Sequence, residues 1–183
     1  MNSSAFMSRV AGAAATGALA FACSQQPLKP AAVAEAGPEN TAEVTVAGVR
    51  VVAAGDAWTG EADVRGYVTP VHVSIQNGGE QPVSVRYSNL ALVSTYDKGD
   101  PAQGLPALAP DQAQSWDPAL RSQNLQQGAL REALVRPGDA LSGYVYFQRI
   151  PKDMERVTLS VDLIDAGSGR SMGTALIPFV VDR

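Results

Sequence analysis

Residues 157–163 read Val157-Thr158-Leu159-Ser160-Val161-Asp162-Leu163. Every second side chain is aliphatic and those between are polar. That period of two belongs to a β-strand with one buried and one wetted face, because successive side chains point to opposite sides of the pleat. Ala166-Gly167-Ser168-Gly169 follows at once as a turn, sending the chain back into a last strand near Thr174–Val181.

The same grammar recurs upstream. Val71, Val73 and Ile75 alternate with His72 and Ser74, Asn77-Gly78-Gly79-Glu80 is a turn signal, and Val83, Val85 and Tyr87 resume the alternation, which predicts a β-hairpin. Leu141, Gly143, Val145 and Phe147 alternate with Ser142, Tyr144 and Tyr146, and further strands are expected over Val44–Ala53 and Leu90–Tyr96. Valine outnumbers leucine 20 to 14, as suits half-buried pleated surfaces. About seven short strands, with turns at intervals of about ten residues, predict an all-β antiparallel β-sandwich. No repeat of solenoid or propeller length is present.

Composition narrows the function classes. The chain has 183 residues, 14 basic and 18 acidic, for a net charge of −4, with one His and one Cys. An acidic balance argues against a phosphate-binding surface, so no nucleic-acid partner is expected. A single cysteine excludes an intrachain disulfide and any zinc site built from several cysteines.

The N-terminus carries an address. Arg9 supplies the positive start of an export signal, and Val10–Ala22 gives 13 uncharged, mostly small apolar residues. A membrane span needs about 20 such residues, so residues 1–22 read as a signal peptide. Its end, Leu19-Ala20-Phe21-Ala22-Cys23, resembles the lipobox of bacterial lipoproteins. The resemblance implies that the Cys23 thiol is acylated, that Cys23 becomes the mature N-terminus, and that the protein is held in the cell envelope by lipid. Ser24, where Asp would favour inner-membrane retention, implies the outer membrane and a periplasm-facing domain. Ala20 and Ala22 also satisfy the small-x-small rule of ordinary signal peptidase, so cleavage of the same bond to release a secreted protein stays open. Pairing considerations favour the lipid, since a free thiol in an oxidising compartment would have no partner in this chain. Residues 23–43 then form the lipidated Cys and a tether with Pro27, Pro30 and Pro38, and 44–183 the β-sandwich domain.

Two segments resemble a group of uncharacterised bacterial lipoproteins with immunoglobulin-like sandwich domains. One runs Val71-His72-Val73-Ser74-Ile75-Gln76-Asn77 and on through Gly78-Gly79-Glu80-Gln81-Pro82-Val83-Ser84-Val85. The other runs from Leu134-Val135-Arg136-Pro137-Gly138-Asp139 to Ala140-Leu141-Ser142-Gly143-Tyr144-Val145-Tyr146-Phe147. The resemblance implies a fold and brings no catalytic residues with it. The Cys…Trp…Cys pattern of antibody domains is absent, so the likeness is one of architecture.

Chemistry-bearing residues are sparse. His72 sits mid-strand, and a hydrolase would need it beside a serine and a carboxylate, yet no G-x-S-x-G elbow occurs. Asp97, Asp100, Asp111 and Asp117 are carboxylates near turns but lack calcium-loop spacing, so no metal site and no cofactor are expected. Gly167-Ser168-Gly169-Arg170 lacks the Lys-Ser/Thr of a phosphate-binding loop and reads as a hairpin.

The remaining feature is a long insertion, residues 97–129. Trp116, Leu120, Leu125 and Leu130 recur at spacings of 4, 5 and 5, and Asp117-Pro118 resembles an N-cap followed by proline, with Gly128 as terminator. One short helix is therefore expected there. It either plugs an open end of the sandwich with Trp116 buried, or presents Trp116 and Tyr96 to a glycan or protein partner. The chain is accordingly expected to be a lipid-anchored cell-envelope interaction or assembly module without catalytic activity. The alternative is a periplasmic carbohydrate- or peptide-binding module using the insertion, and a hydrolase is the remaining rival.

Overall fold

A computed structural model describes residues 28–30, 35–36, 41–94 and 104–181. Cys23, Tyr96, Asp97 and Asp100 lie outside these described residues. The strands are β1 (Leu28–Pro30), β2 (Glu35–Ala36), β3 (Thr41–Val46), β4 (Val49–Ala54), β5 (Val68–Asn77) and β6 (Val83–Val85). They continue as β7 (Leu90–Ser94), β8 (Gly104–Leu108), β9 (Ala133–Val135), β10 (Ala140–Gln148), β11 (Arg156–Asp165) and β12 (Ser171–Val181). One α-helix, α1 (Pro110–Trp116), is present among the described residues.

The chain is all-β, and its strand ladders are antiparallel. Twelve described strands replace the seven that turn spacing predicts. They form one continuous path, β1-β12-β11-β7-β8-β10-β5-β4-β3-β2, with β6 and β9 paired beside β11. β8 joins two layers, pairing with β7 along one edge and β10 along the other. At the far end β12 comes up beside β3: a Cβ on Gly173 would stand 2.7 Å from Val46 Cγ1. The path is thus nearly closed into a barrel rather than split into two separate sheets.

The strand of residues 157–163 is as its alternation predicts. Val157, Leu159, Val161 and Leu163 are all buried, and burial of each such side chain is worth about 2 kcal/mol. They meet Val71, Val73, Ile75, Val145 and Phe147 of the other layer in one core. The closing hairpin also forms: β11 pairs with β12 with Leu159 opposite Ile177. Asp165 caps its turn by accepting from the Gly167 amide at 2.9 Å and the Ser168 hydroxyl at 2.5 Å. Those bonds, the Ser168 hydroxyl first, hold its carboxyl below the usual range.

Two expectations are corrected by pairing. The single strand foreseen over Val44–Ala53 is a hairpin, β3–β4, turned by Ala47 and Gly48, both with left-handed backbone (φ 50° and 79°). Ala carries no sequence signal for that conformation, so the turn was invisible. The segment 71–87 is not a hairpin either. β5 pairs with β4 and β10, whereas β6 pairs with β11 and β9, so Asn77-Gly78-Gly79-Glu80 carries the chain from one layer to the other.

Asn77 fixes that corner. It is 0% exposed; its Nδ2 donates to the carbonyls of Gln81 (2.8 Å) and Val135 (3.0 Å), and its Oδ1 accepts from the Gly79 amide (3.0 Å).

Residues 24–43, expected to be a tether without a period, contain β1, β2 and the first half of β3. Leu28 on β1 is 1% exposed, and a Cβ on Gly55 would lie 2.3 Å from its Cβ. A glycine at 55 is what leaves room for this side chain to enter the core. β1 completes the edge of β12, with Leu28 opposite Val181 and Pro30 opposite Phe179.

Candidate functional site

β10 has two faces. Val145 and Phe147 enter the main core, while Tyr144 and Tyr146 point to the opposite side, where an outward-facing strand would ordinarily meet water. Here that side is covered. Tyr146 is buried in a second apolar cluster with Val64, Val68, Leu108, Ala113, Leu120 and Leu125, against which Trp58, Tyr67 and Tyr144 pack. The insertion supplies this cover, so its function in the fold is to seal the outer face of β5 and β10.

The helix responsible is not where the spacing puts it. Pro110 opens α1, whose last residue is Trp116. Asp117 does cap the following turn, accepting from the Ala119 amide at 2.9 Å, but Pro118–Leu120 makes only a single 3-10 turn. Leu120, Leu125 and Leu130 are buried as expected of a plug, and Trp116 is not: it is 53% exposed. The plug reading is therefore corrected at its central residue, since the apolar positions of the insertion that cover the sheet, Leu108 and Ala113 before Trp116 and Leu120 and Leu125 after it, leave it at a solvent-facing helix end.

A cleft of about 410 Å³ opens where the insertion meets the loop between β4 and β5. Trp58 and Tyr144 line it together with Glu61, Gln123, Asn124 and Gln127. Each wall is pinned to β10 by a tyrosine. Tyr144 donates its hydroxyl to the Ala57 carbonyl at 2.6 Å, holding the 55–61 loop, and Tyr146 donates to the Leu125 carbonyl at 3.0 Å, holding the insertion. Burial first, then the neighbouring Tyr144 and Tyr87 hydroxyls, push the Tyr146 phenol far above its ordinary pKa, so it stays a donor at every physiological pH. Arg65 fastens the first loop from below through the carbonyls of Asp56 (3.1 Å) and Trp58 (2.8 Å).

Trp58 stands edge-on to both tyrosines, its ring centroid 4.9 Å from Tyr144 and 6.0 Å from Tyr146, in the T-shaped arrangement that aromatic quadrupoles favour. Its indole N–H donates to the Glu61 carbonyl at 3.0 Å. Across the cleft the Gln123 amide donates to a Glu61 carboxylate oxygen at 2.8 Å, joining the two walls. Gln114 of α1 in turn donates to the Gln123 carbonyl.

His72 lies beneath this assembly on β5, opposite Tyr144 in the ladder, with the two rings 5.2 Å apart and edge to face. Half-buried, it makes no side-chain hydrogen bond to a serine or a carboxylate among the described residues. Burial holds its pKa below the ordinary 6.5. The folded chain therefore binds this proton less readily than the unfolded chain, and stability should fall as pH drops below about 6.5. Urea unfolding of the wild type and His72→Asn between pH 5 and 8 checks this. The wild type should lose more stability toward acid than the variant does, and parallel pH profiles would contradict the assignment.

Of the residues singled out from sequence, Trp116 is exposed but outside the cleft, and Tyr96 lies outside the described residues. Asp111 on α1 is exposed and Asp117 serves its turn. No group of three or more His, Cys, Asp or Glu close enough to hold a metal occurs among the described residues. The residues that sequence reasoning missed are Trp58, Glu61 and Tyr144. A signal existed for the last: two tyrosines on the outward side of a strand call for a cover.

No family model matches the chain, and no curated protein matches it. Among solved structures it is similar to a candidate lipoprotein, ycdA, of Bacillus subtilis, with a TM-score of 0.48 and 14% identity. That likeness covers 76% of this chain and 38% of the other, so the chain spans well under half of that protein's length. It is also similar to a functionally unknown protein of Listeria monocytogenes EGD-e, with a TM-score of 0.45 and 10% identity over 78% of this chain and 83% of that one.

Proposed function

We propose that the protein is a lipid-anchored cell-envelope interaction or assembly module without catalytic activity, held through Cys23 at the outer membrane with its domain facing the periplasm. The observation that carries the interaction reading is the cleft itself. Two loops from distant parts of the chain are fixed by Tyr144 and Tyr146 so that polar side chains converge against an aromatic wall. Pre-formed concavities of this size with a few convergent polar groups are the usual form of a binding site. The non-catalytic part is supported by His72, whose ring faces Tyr144 rather than a nucleophile. The anchor reading is supported by the lipobox-like end of the signal, and no helix among the described residues is long and apolar enough to cross a membrane.

Two experiments test it. Cys23→Ala should abolish incorporation of labelled palmitate and release the protein from the membrane fraction; retention of both would end the lipoprotein reading. A crosslinked pull-down with the anchored protein should recover an envelope component that is lost with Gln127→Trp, which fills the cleft from its exposed rim. Recovery unchanged by that substitution would remove the cleft from the interaction.

A further inference from the structure

We infer that the cleft takes a neutral carbohydrate chain. The inference rests on the cleft being the interaction site, and three properties of its lining select the ligand class.

The first is charge. Glu61 is the one ionised side chain of the lining, and no lysine or arginine belongs to it. A phosphate, a nucleotide or an anionic headgroup would meet a carboxylate with nothing to offset it. The second is the backbone. Tyr144 has both of its ladder sides occupied, by β5 on one and by residues 128–130 on the other, where its amide donates to Gly128 (2.8 Å) and its carbonyl accepts from Leu130 (2.8 Å). No free strand edge lines the cleft, so a peptide has no ladder to join.

The third is the kind of polar and apolar surface on offer. The Trp58 N–H is spent on the Glu61 carbonyl and the Tyr144 O–H on the Ala57 carbonyl, so neither ring has a donor left to offer a ligand. Beside Trp58 on its own loop stands the Glu61 carboxylate, which accepts from the Gln123 amide across the cleft, and the Asn124 and Gln127 carboxamides complete the polar lining. Planar groups of this type carry paired acceptors, or an acceptor beside a donor, and so engage adjacent hydroxyls in pairs. A sugar ring has this combination, hydroxyls around its rim and C–H bonds on its faces. Glu61, Asn124 and Gln127 are exposed, so the cleft is open along its rim and fits a chain passing through.

The two tryptophans, Trp58 and Trp116, allow a direct reading. In full-length protein carrying Trp116→Phe, Trp58 is the sole indole emitter. Titration with short oligosaccharides of N-acetylglucosamine, glucose and mannose should give a saturable change in Trp58 emission with at least one of them. Glu61→Gln and Gln123→Ala should each weaken that binding about tenfold, the size expected when a charge-assisted or amide hydrogen bond is lost, while the Trp58 emission of the unliganded protein, which reports whether the walls their mutual bond joins stay in place, is unchanged. A saturable change with a polyanionic glycan or a peptide, and with none of the neutral sugars, would overturn the inference. So would silence with every neutral sugar while Gln127→Trp still abolishes the pull-down; in that case the cleft remains the interaction site and only the ligand class falls. If neutral sugars bind with affinity unaffected by Glu61→Gln and Gln123→Ala, the site lies elsewhere.

Discussion

Asn77→Ala is expected to lower folding stability by about 3 kcal/mol. The residue is wholly buried, and its side chain satisfies the carbonyls of Gln81 and Val135 and the amide of Gly79. Truncation leaves these three backbone groups without their side-chain partner; the Val135 carbonyl is buried, where an unmatched group costs on the order of 1–3 kcal/mol, while the half-buried groups of Gln81 and Gly79 add less because water reaches them. The consequence is wider than local. Val135 belongs to β9 and Gln81 precedes β6, so the same side chain ties the crossing between layers to a strand 58 residues further on. Urea unfolding gives the number directly. A loss under about 1 kcal/mol, within the range of a surface polar change, would show that the corner is held by the glycines and the apolar contacts of Val83 alone.

Asn77 also marks the boundary between what the sequence made readable and what it did not. Alternation is local: Val157 to Leu163 and Leu141 to Phe147 declare their strands because period two is visible within seven residues, and both segments bury the faces they predict. Pairing is not local. Asn-Gly-Gly after a strand is equally a hairpin turn and a corner between layers, and the choice is made with the carbonyl of Val135, 58 residues on, that no short window connects to it. The strand count failed for the same reason, since Ala47 enters a left-handed turn and β8 is five residues inside a segment without clear alternation.

The candidate site was half legible. The insertion is correctly located by its length, and Leu120, Leu125 and Leu130 are correctly apolar-facing. Trp116 misled because spacing ties it to those leucines, while Pro110, which pre-sets the first turn of a helix, starts α1 earlier and leaves Trp116 at its solvent-facing end. Trp58 comes from a loop more than 50 residues away, and only the fold brings it to Tyr144.

Gly143→Ala is the second large effect expected, and it reaches both fold and site. The backbone there is ordinary; the glycine is required by a close approach. A Cβ at 143 would lie 2.4 Å from the Leu130 amide nitrogen and 2.7 Å from the carbonyl carbon of Ala129 and the Cα of Leu130. All three are backbone atoms, so no rotamer change relieves the clash and the 128–130 segment must withdraw. Withdrawal strains the 2.8 Å bonds that Leu130 and Gly128 make with Tyr144, and it draws Leu130, 1% exposed, out of the core. Overpacking together with those losses gives a destabilisation of about 3 kcal/mol, and valine at 143 should cost more. Gln127 and Gly128 form part of the cleft, so the wall they build should lift and expose Trp58. In the Trp116→Phe background this predicts a red shift of Trp58 emission and loss of the saccharide response, alongside the fall in urea midpoint. Gly66→Ala is the matched control, because a Cβ there meets nothing within 4 Å and should leave stability and emission unchanged. If Gly143→Ala matched that control, the approach of residues 129–130 to β10 would be looser than the structure has it, and the cleft would lose the support that makes it a site.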